Sequence, residues 1–200
     1  MTIYIKQSKF NILILGDSRV GKTSVIVKKS RGQFEETTLS TVGIDYIMDE
    51  AIFDGKTYRF KIFDTAGQER FKSISGNTIK ASHGFFVVFA LNDIKSFQQV
   101  KTWITTIEDA TSLANKPLIL LGNKCDLKRE VDKTLIDNFI KLKKLKYYET
   151  SAKTGQNIKE SFEDLYQKIY NIQKNLKDSE KNANTSLDKE NHSKGQHRRC

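Results

Sequence analysis

The chain has 200 residues and one proline, which suits a single globular domain plus a tail. Its only two cysteines, Cys125 and Cys200, exclude a disulfide framework and point to a reducing compartment. The formal net charge of +10 is spread along the chain: lysines cluster, as in KLKKLKYYE (141–149), without interleaved stacking aromatics, which argues against nucleic acid and for acidic partners or an anionic membrane surface.

No segment has the length of apolar sequence needed to span a bilayer, and MTIYIKQSKF at the start carries no signal-peptide pattern. Residues 10–15, FNILIL, read as a buried strand, followed by GDSRVGKTS and a helix-compatible stretch to about Ser30. IDYIMDEAIF (44–53) and KTYRFKIF (56–63) read as strands, and Asp54-Gly55 between them signals a tight antiparallel hairpin. GFFVVFA (84–90) is a buried strand. Ile94, Phe97, Val100, Ile104 and Ile107 then recur at helical spacing over 93–111.

PLILLG (117–122) is another buried strand. Leu135, Ile136, Phe139, Ile140 and Leu142 suit a helix at about 132–144, a short strand follows at about 146–149, and Ile158, Phe162, Leu165, Ile169 and Ile172 line a last helix. Asn157 and Glu160 stand at the spacing of an N-cap and its reciprocal partner. Strands alternating with helices imply an α/β fold: a mixed six-stranded sheet with one antiparallel strand and helices on both faces. The apolar period stops near Lys174. We therefore expect a domain over 8–173 and a disordered polar tail over 174–200.

Four motifs carry chemistry. Gly16-Asp17-Ser18-Arg19-Val20-Gly21-Lys22-Thr23 matches G-x-x-x-x-G-K-[ST] between a strand and a helix. Its backbone N–H groups and the helix start, through Ser24, suit phosphate; Lys22 reaches the β- and γ-phosphates, and Thr23 offers a hard oxygen to Mg2+. DTAGQERF (64–71) follows a strand end: Asp64 suits the Mg2+ shell, Gly67 lets its N–H approach a γ-phosphate, and Gln68 can orient an attacking water. Asn123-Lys124-Cys125-Asp126 follows the strand LILLG. A carboxylate at Asp126 accepts from the N1–H and N2 amino edge of guanine, which adenine lacks; two charge-assisted bonds at ~1.5–3 kcal/mol each discriminate by about 3–6 kcal/mol. Ser151-Ala152-Lys153 follows the last strand and can give an N–H to the guanine O6.

With these motifs in order, the sequence resembles a small GTPase of the Ras superfamily, and within it a Rab, over about residues 8–172. The resemblance implies a P-loop NTPase of the small G domain type that binds GTP and GDP with Mg2+. Such a protein hydrolyses GTP slowly unaided, needs an activating protein, and regulates vesicle-mediated membrane trafficking through effectors. STVGIDY (40–46) resembles the Rab first switch, where Thr41 would coordinate Mg2+, and Phe34 falls where the family places an aromatic against guanine. Trp103 lies in a Rab-like VKTWI helix.

The sequence departs from the family at Phe63, Tyr46, Thr78 and the run NTIKASHG (77–84), which alters the aromatic surface that partners read, and at Arg19 in the phosphate loop. The resemblance further implies an exchange factor, a GDP-dissociation inhibitor or escort protein, a monomeric state, and residence on the cytoplasmic face of intracellular membranes with cycling through the cytosol. A lipid anchor at Cys200 fits this, although Rab tails usually carry two cysteines and no C-a-a-X box is present; a bland terminal thiol is the alternative. Residues 174–199 would give a flexible leash of roughly 25–30 Å. Two rival readings are a nucleotide-holding module without turnover and an ATP-using kinase with the same phosphate loop.

Overall fold

The computed structural model describes residues 9–34, 45–64 and 75–195. In chain order they form β1 (Lys9–Leu15), α1 (Lys22–Arg31), β2 (Asp45–Phe53), β3 (Lys56–Asp64), α2 (Gly76–Ala81), β4 (Gly84–Ala90), α3 (Ile94–Ala110), β5 (Leu118–Asn123), α4 (Lys133–Lys143), β6 (Lys146–Glu149) and α5 (Ile158–Gly195). The strands make one six-stranded sheet in the order β2-β3-β1-β4-β5-β6. β2 runs antiparallel to β3, and every other neighbouring pair is parallel. The hairpin turn is as the sequence implies. Asp54 and Gly55 both take positive φ, 48° and 70°, the pair of left-handed conformations that a two-residue type I′ turn needs.

Alternation along the central strands divides the core into two layers. Ile12 and Ile14 of β1 and Phe86 and Val88 of β4 face α1 and α5, where they meet Val25, Phe162, Leu165 and Ile169. Leu13, Leu15, Phe85, Val87 and Phe89 face the other way onto Ile79 of α2, Val100 and Ile104 of α3, and Ile136 of α4. Each layer holds the sheet from one side, so the loops at the C-terminal strand ends are carried on a rigid base.

Local signals set the helix ends. Asp93 caps α3 by accepting from the Lys95 and Ser96 N–H groups, and Asp132 caps α4 by accepting from that of Thr134. Lys144, left-handed at φ 53°, closes α4 by donating to the Ile140 and Lys141 carbonyls.

Several expectations change. α2 is not signalled by periodicity: six residues that include a glycine are too few to show a period. In α4 the helix is correct but its inner face is narrower, because Leu135 and Leu142 are exposed and only Ile136 is fully buried. Asn157 takes the cap position just before α5, where its carbonyl accepts from the Ser161 N–H at 3.2 Å, but its φ is 54° and its side-chain amide donates to the Glu149 carbonyl at 2.7 Å. The helical backbone of α5 runs on past Lys174 to Gly195, and no proline or glycine falls within 174–194.

Candidate functional site

β1, β3, β5 and β6 all end on the same edge of the sheet, and each delivers one of the sequence motifs there. The loop after β1 begins at Gly16, whose φ is 142°. A Cβ added there would lie 2.1 Å from the Val88 carbonyl oxygen, so the approach of loop to β4 admits only glycine. Gly21, at φ 95°, meets the same limit against the Asn123 amide nitrogen at 2.4 Å. Arg19 between them is exposed and left-handed at φ 65°, a conformation that costs a side-chain-bearing residue ~1–2 kcal/mol.

Lys22 is only 4% exposed, and its Nζ donates to the Gly16 carbonyl at 2.6 Å and the Asp17 carbonyl at 2.7 Å. The ammonium therefore lies inside the curve of the loop. No side chain caps α1 at Gly21, and no acidic residue lies in its first turn, so the positive end of the helix dipole faces the loop. One residue on, the Thr23 Oγ1 donates to the Asp64 Oδ2 at 2.6 Å. A hydroxyl and a buried carboxylate, distant in sequence, thus converge as hard oxygen donors beside the phosphate loop.

The other half of the site is built around Asn123, 1% exposed at the end of β5. Its Nδ2 donates to the Val20 carbonyl at 2.9 Å, and its Oδ1 accepts from the Ala152 N–H at 3.2 Å and the Thr150 hydroxyl at 3.4 Å. Lys124 follows at φ 64°. Burial holds its ammonium below the ordinary lysine value, against the opposing pull of Asp93 and Asp126. The Ser151 hydroxyl, fully buried, donates to the Asp126 Oδ1 at 2.5 Å and accepts from the Thr154 N–H. Cys125 is a free thiol, raised by burial and then by Asp126 and Glu149, a setting that suppresses thiolate reactivity.

The structure gathers Gly16, Asp17, Ser18, Arg19, Val20, Gly21, Lys22, Thr23, Ser24, Asp64, Asn123, Lys124, Asp126, Ser151, Ala152 and Lys153 onto this edge. Phe34 lies past the Gly32 end of α1 and is 37% exposed; no ring contact ties it to the other loops among the described residues. Thr41, Gly67, Gln68 and Cys200 lie outside the described residues. One partner is absent from the motif reading. Trp103 of α3 donates its Nε1–H to the Asp17 Oδ1 at 2.7 Å, across 86 residues of sequence. The available signal was the chain's one tryptophan, placed on this helix.

A glycine-built loop wrapped around a buried lysine, with two oxygen donors converging beside it, has the form of a P-loop domain. The Ras family model matches residues 11–171. The chain is 38% identical over 162 residues to Ras-related protein Rab-13 of Bos taurus, covering 80% of this chain and 79% of that protein. It is also 38% identical over 162 residues to Ras-related protein Rab-8B of Homo sapiens, covering 80% and 78%. The chain belongs to the Ras family. It is a Rab-like small GTPase, a GTP-binding switch that hydrolyses GTP and works in vesicle trafficking.

Proposed function

We propose that this chain uses the residues gathered at the sheet edge to hold GTP or GDP with Mg2+, and that Gln68 positions the water that attacks the γ-phosphate. Backbone N–H groups of Gly16–Ser24 would take the phosphates, with Lys22 turning from the loop carbonyls to phosphate oxygens. Asp126 would read guanine, and Ala152 would meet its O6 from a loop held by Asn123. Phe34 would cover the base, and Ser151 and Lys153 would frame it. The observation that supports this most directly is the Thr23–Asp64 contact, because two oxygen donors brought together at a phosphate loop suit Mg2+. Thr41 would complete the protein's share of the shell. Bound there, Mg2+ would neutralise charge on the β- and γ-phosphate oxygens.

Catalysis of this kind is mostly positioning and charge stabilisation, a rule for which small GTPases are the type case. Arg19, the nearest described arginine in the phosphate loop, is exposed, so an arginine from an activating protein is the natural supplement. The rest of the cycle follows: an exchange factor, effectors that read the GTP form, and a GDP-dissociation inhibitor or escort protein for a lipidated Cys200. The domain would span 8–173, with 174–200 as a monomer's tether to the cytoplasmic face of intracellular membranes. Among the described residues no helix is long and apolar enough to cross a membrane.

Single-turnover GTP hydrolysis by the full chain and by Gln68→Leu tests the reading. Slow turnover in the first and at least tenfold less in the second is expected; equal, negligible turnover in both would support the rival of a holding module. Competition of GTP against ATP separates the kinase rival: equal affinity would refute the guanine-reading role given to Asp126.

A further inference from the structure

A second cleft lies at the other end of the sheet, where β4 and β5 begin. It has a volume of about 360 Å3 and is formed by the α2–β4 connection, the α3–β5 connection and the outer part of α5. That is within the range of small-ligand pockets. Lys80, His83 and Lys116 line it with Thr111, Asn115 and Gln173, and among the described residues no carboxylate is in its wall. The GTPase site does not use it, because the nucleotide loops leave the opposite strand ends.

The cationic wall is pre-formed. Both connections are fixed by hydrogen bonds. The Asn11 N–H donates to the His83 Nδ1 at 3.0 Å, the His83 N–H donates to the Asn11 carbonyl at 2.7 Å, and the Asn11 amide reaches the Ala81 carbonyl. Lys116 Nζ crosses the cleft to the Lys80 carbonyl at 2.6 Å. An ammonium has three protons, so two remain for a ligand. Because the His83 Nδ1 accepts, a neutral ring carries its proton on Nε2 and presents a donor there.

The α2 and α3 C-termini bring roughly half a negative charge each. Two lysines outweigh that. Burial holds the Lys116 ammonium below its ordinary value, and burial and then Lys116 do the same to His83. Gln173 carries the wall onto α5, and Lys177 stands four residues further on the same helix face.

We propose that this cleft is an anion site for a phosphomonoester, of the kind carried on a phosphorylated inositol ring. Donors from three separate elements converge on a space sized for a small polar ligand, and the cleft borders the helix from which the C-terminal segment departs. A phosphorylated lipid headgroup and a free inositol phosphate share this chemistry. The lipid source would orient the domain with α5 toward the bilayer. That orientation, but not the anion site itself, rests on the membrane tether proposed above.

The test uses unlipidated, GDP-loaded full chain in two arms. In the first, calorimetry measures inositol 1,4-bisphosphate binding. In the second, flotation measures binding to phosphatidylcholine vesicles containing phosphatidylinositol 4-phosphate, against vesicles with phosphatidylserine at matched surface charge. Lys80→Gln/Lys116→Gln is compared with the charge-matched Lys101→Gln/Lys133→Gln, and retained GDP affinity and melting temperature show that each variant is folded. Binding in either arm that falls at least tenfold in the cleft variant and less than twofold in the control supports the site. Binding in the first arm assigns a soluble inositol phosphate as sufficient, and preference only for the phosphoinositide vesicles assigns the lipid. Absence of binding in both arms, or equal loss in both variants, overturns it. Neither outcome bears on GTP hydrolysis.

Discussion

Replacing Trp103 with Phe tests whether α3 braces the phosphate loop. The substitution keeps an aromatic ring on α3 but removes the indole N–H that donates to Asp17 at 2.7 Å. A hydrogen bond to a charged group contributes ~1.5–3 kcal/mol, and both partners are half-buried, which places this one near the lower end, at about 2 kcal/mol. That corresponds to about a 30-fold change in the folded-to-unfolded ratio. For a chain of this size it lowers the melting temperature by about 4–8 °C. The smaller ring also loses packing, so the single variant overstates the bond.

A double-mutant cycle with Asp17→Ala isolates it. Urea unfolding of the four GDP-loaded proteins should give a coupling energy of about 1.5–2 kcal/mol. Release of a fluorescent GDP analogue should quicken several-fold in Trp103→Phe, because Asp17 belongs to the loop whose backbone N–H groups would take the phosphates. A coupling below about 0.5 kcal/mol, with release unchanged, would refute the brace.

Gly16→Ala places a Cβ 2.1 Å from a backbone oxygen, so it should cost about 3 kcal/mol or more and abolish GDP retention; a melting temperature within a degree or two of wild type would contradict the close approach. Arg19→Gly releases ~1–2 kcal/mol of left-handed strain against ~0.5–1 kcal/mol of added chain entropy, so urea unfolding should show a small gain, and a clear loss would mean the arginine side chain is used. Tyr166→Phe strips the hydroxyl that donates to Asp49 at 2.8 Å from a ring 1% exposed, and should cost about 1–2 kcal/mol by the same measurement. At Asp54, hydrogen bonds from Lys174 and then Tyr170 hold the carboxyl below its ordinary 3.8. Its contribution is therefore complete above that value and lost as pH falls through the lower folded one. Asp54→Asn should flatten the acid limb of the stability profile below about pH 4, and identical limbs would exclude the linkage.

The elements with a strong period were readable: the central strands, α3, and the Asp54-Gly55 hairpin all follow from residue pattern. Where reading failed, the deciding interaction was tertiary. Leu135 and Leu142 fit a helical stripe, yet only contact with the sheet decides which part of that stripe is buried. Asn157 stands where its spacing put the cap, but the spacing could not reveal that its amide also reaches back to the Glu149 carbonyl. The motifs pointed to the loops after β1 and β5 because their patterns depend on local backbone geometry. They could not reveal that Asn123 serves Val20, or that Trp103 serves Asp17, because each bond spans a long stretch of sequence and depends on how the sheet is ordered.

Asn123 belongs to the motif proposed to read the base, yet its own polar atoms go to Val20 in one loop and Ala152 in another. The two loops that would hold opposite ends of a nucleotide are fastened by a single side chain. Displacing either loop strains that fastening and is felt at the other. A protein that catalyses exchange therefore needs leverage at only one end, and a bound nucleotide tightens its own far contact as it seats the near one.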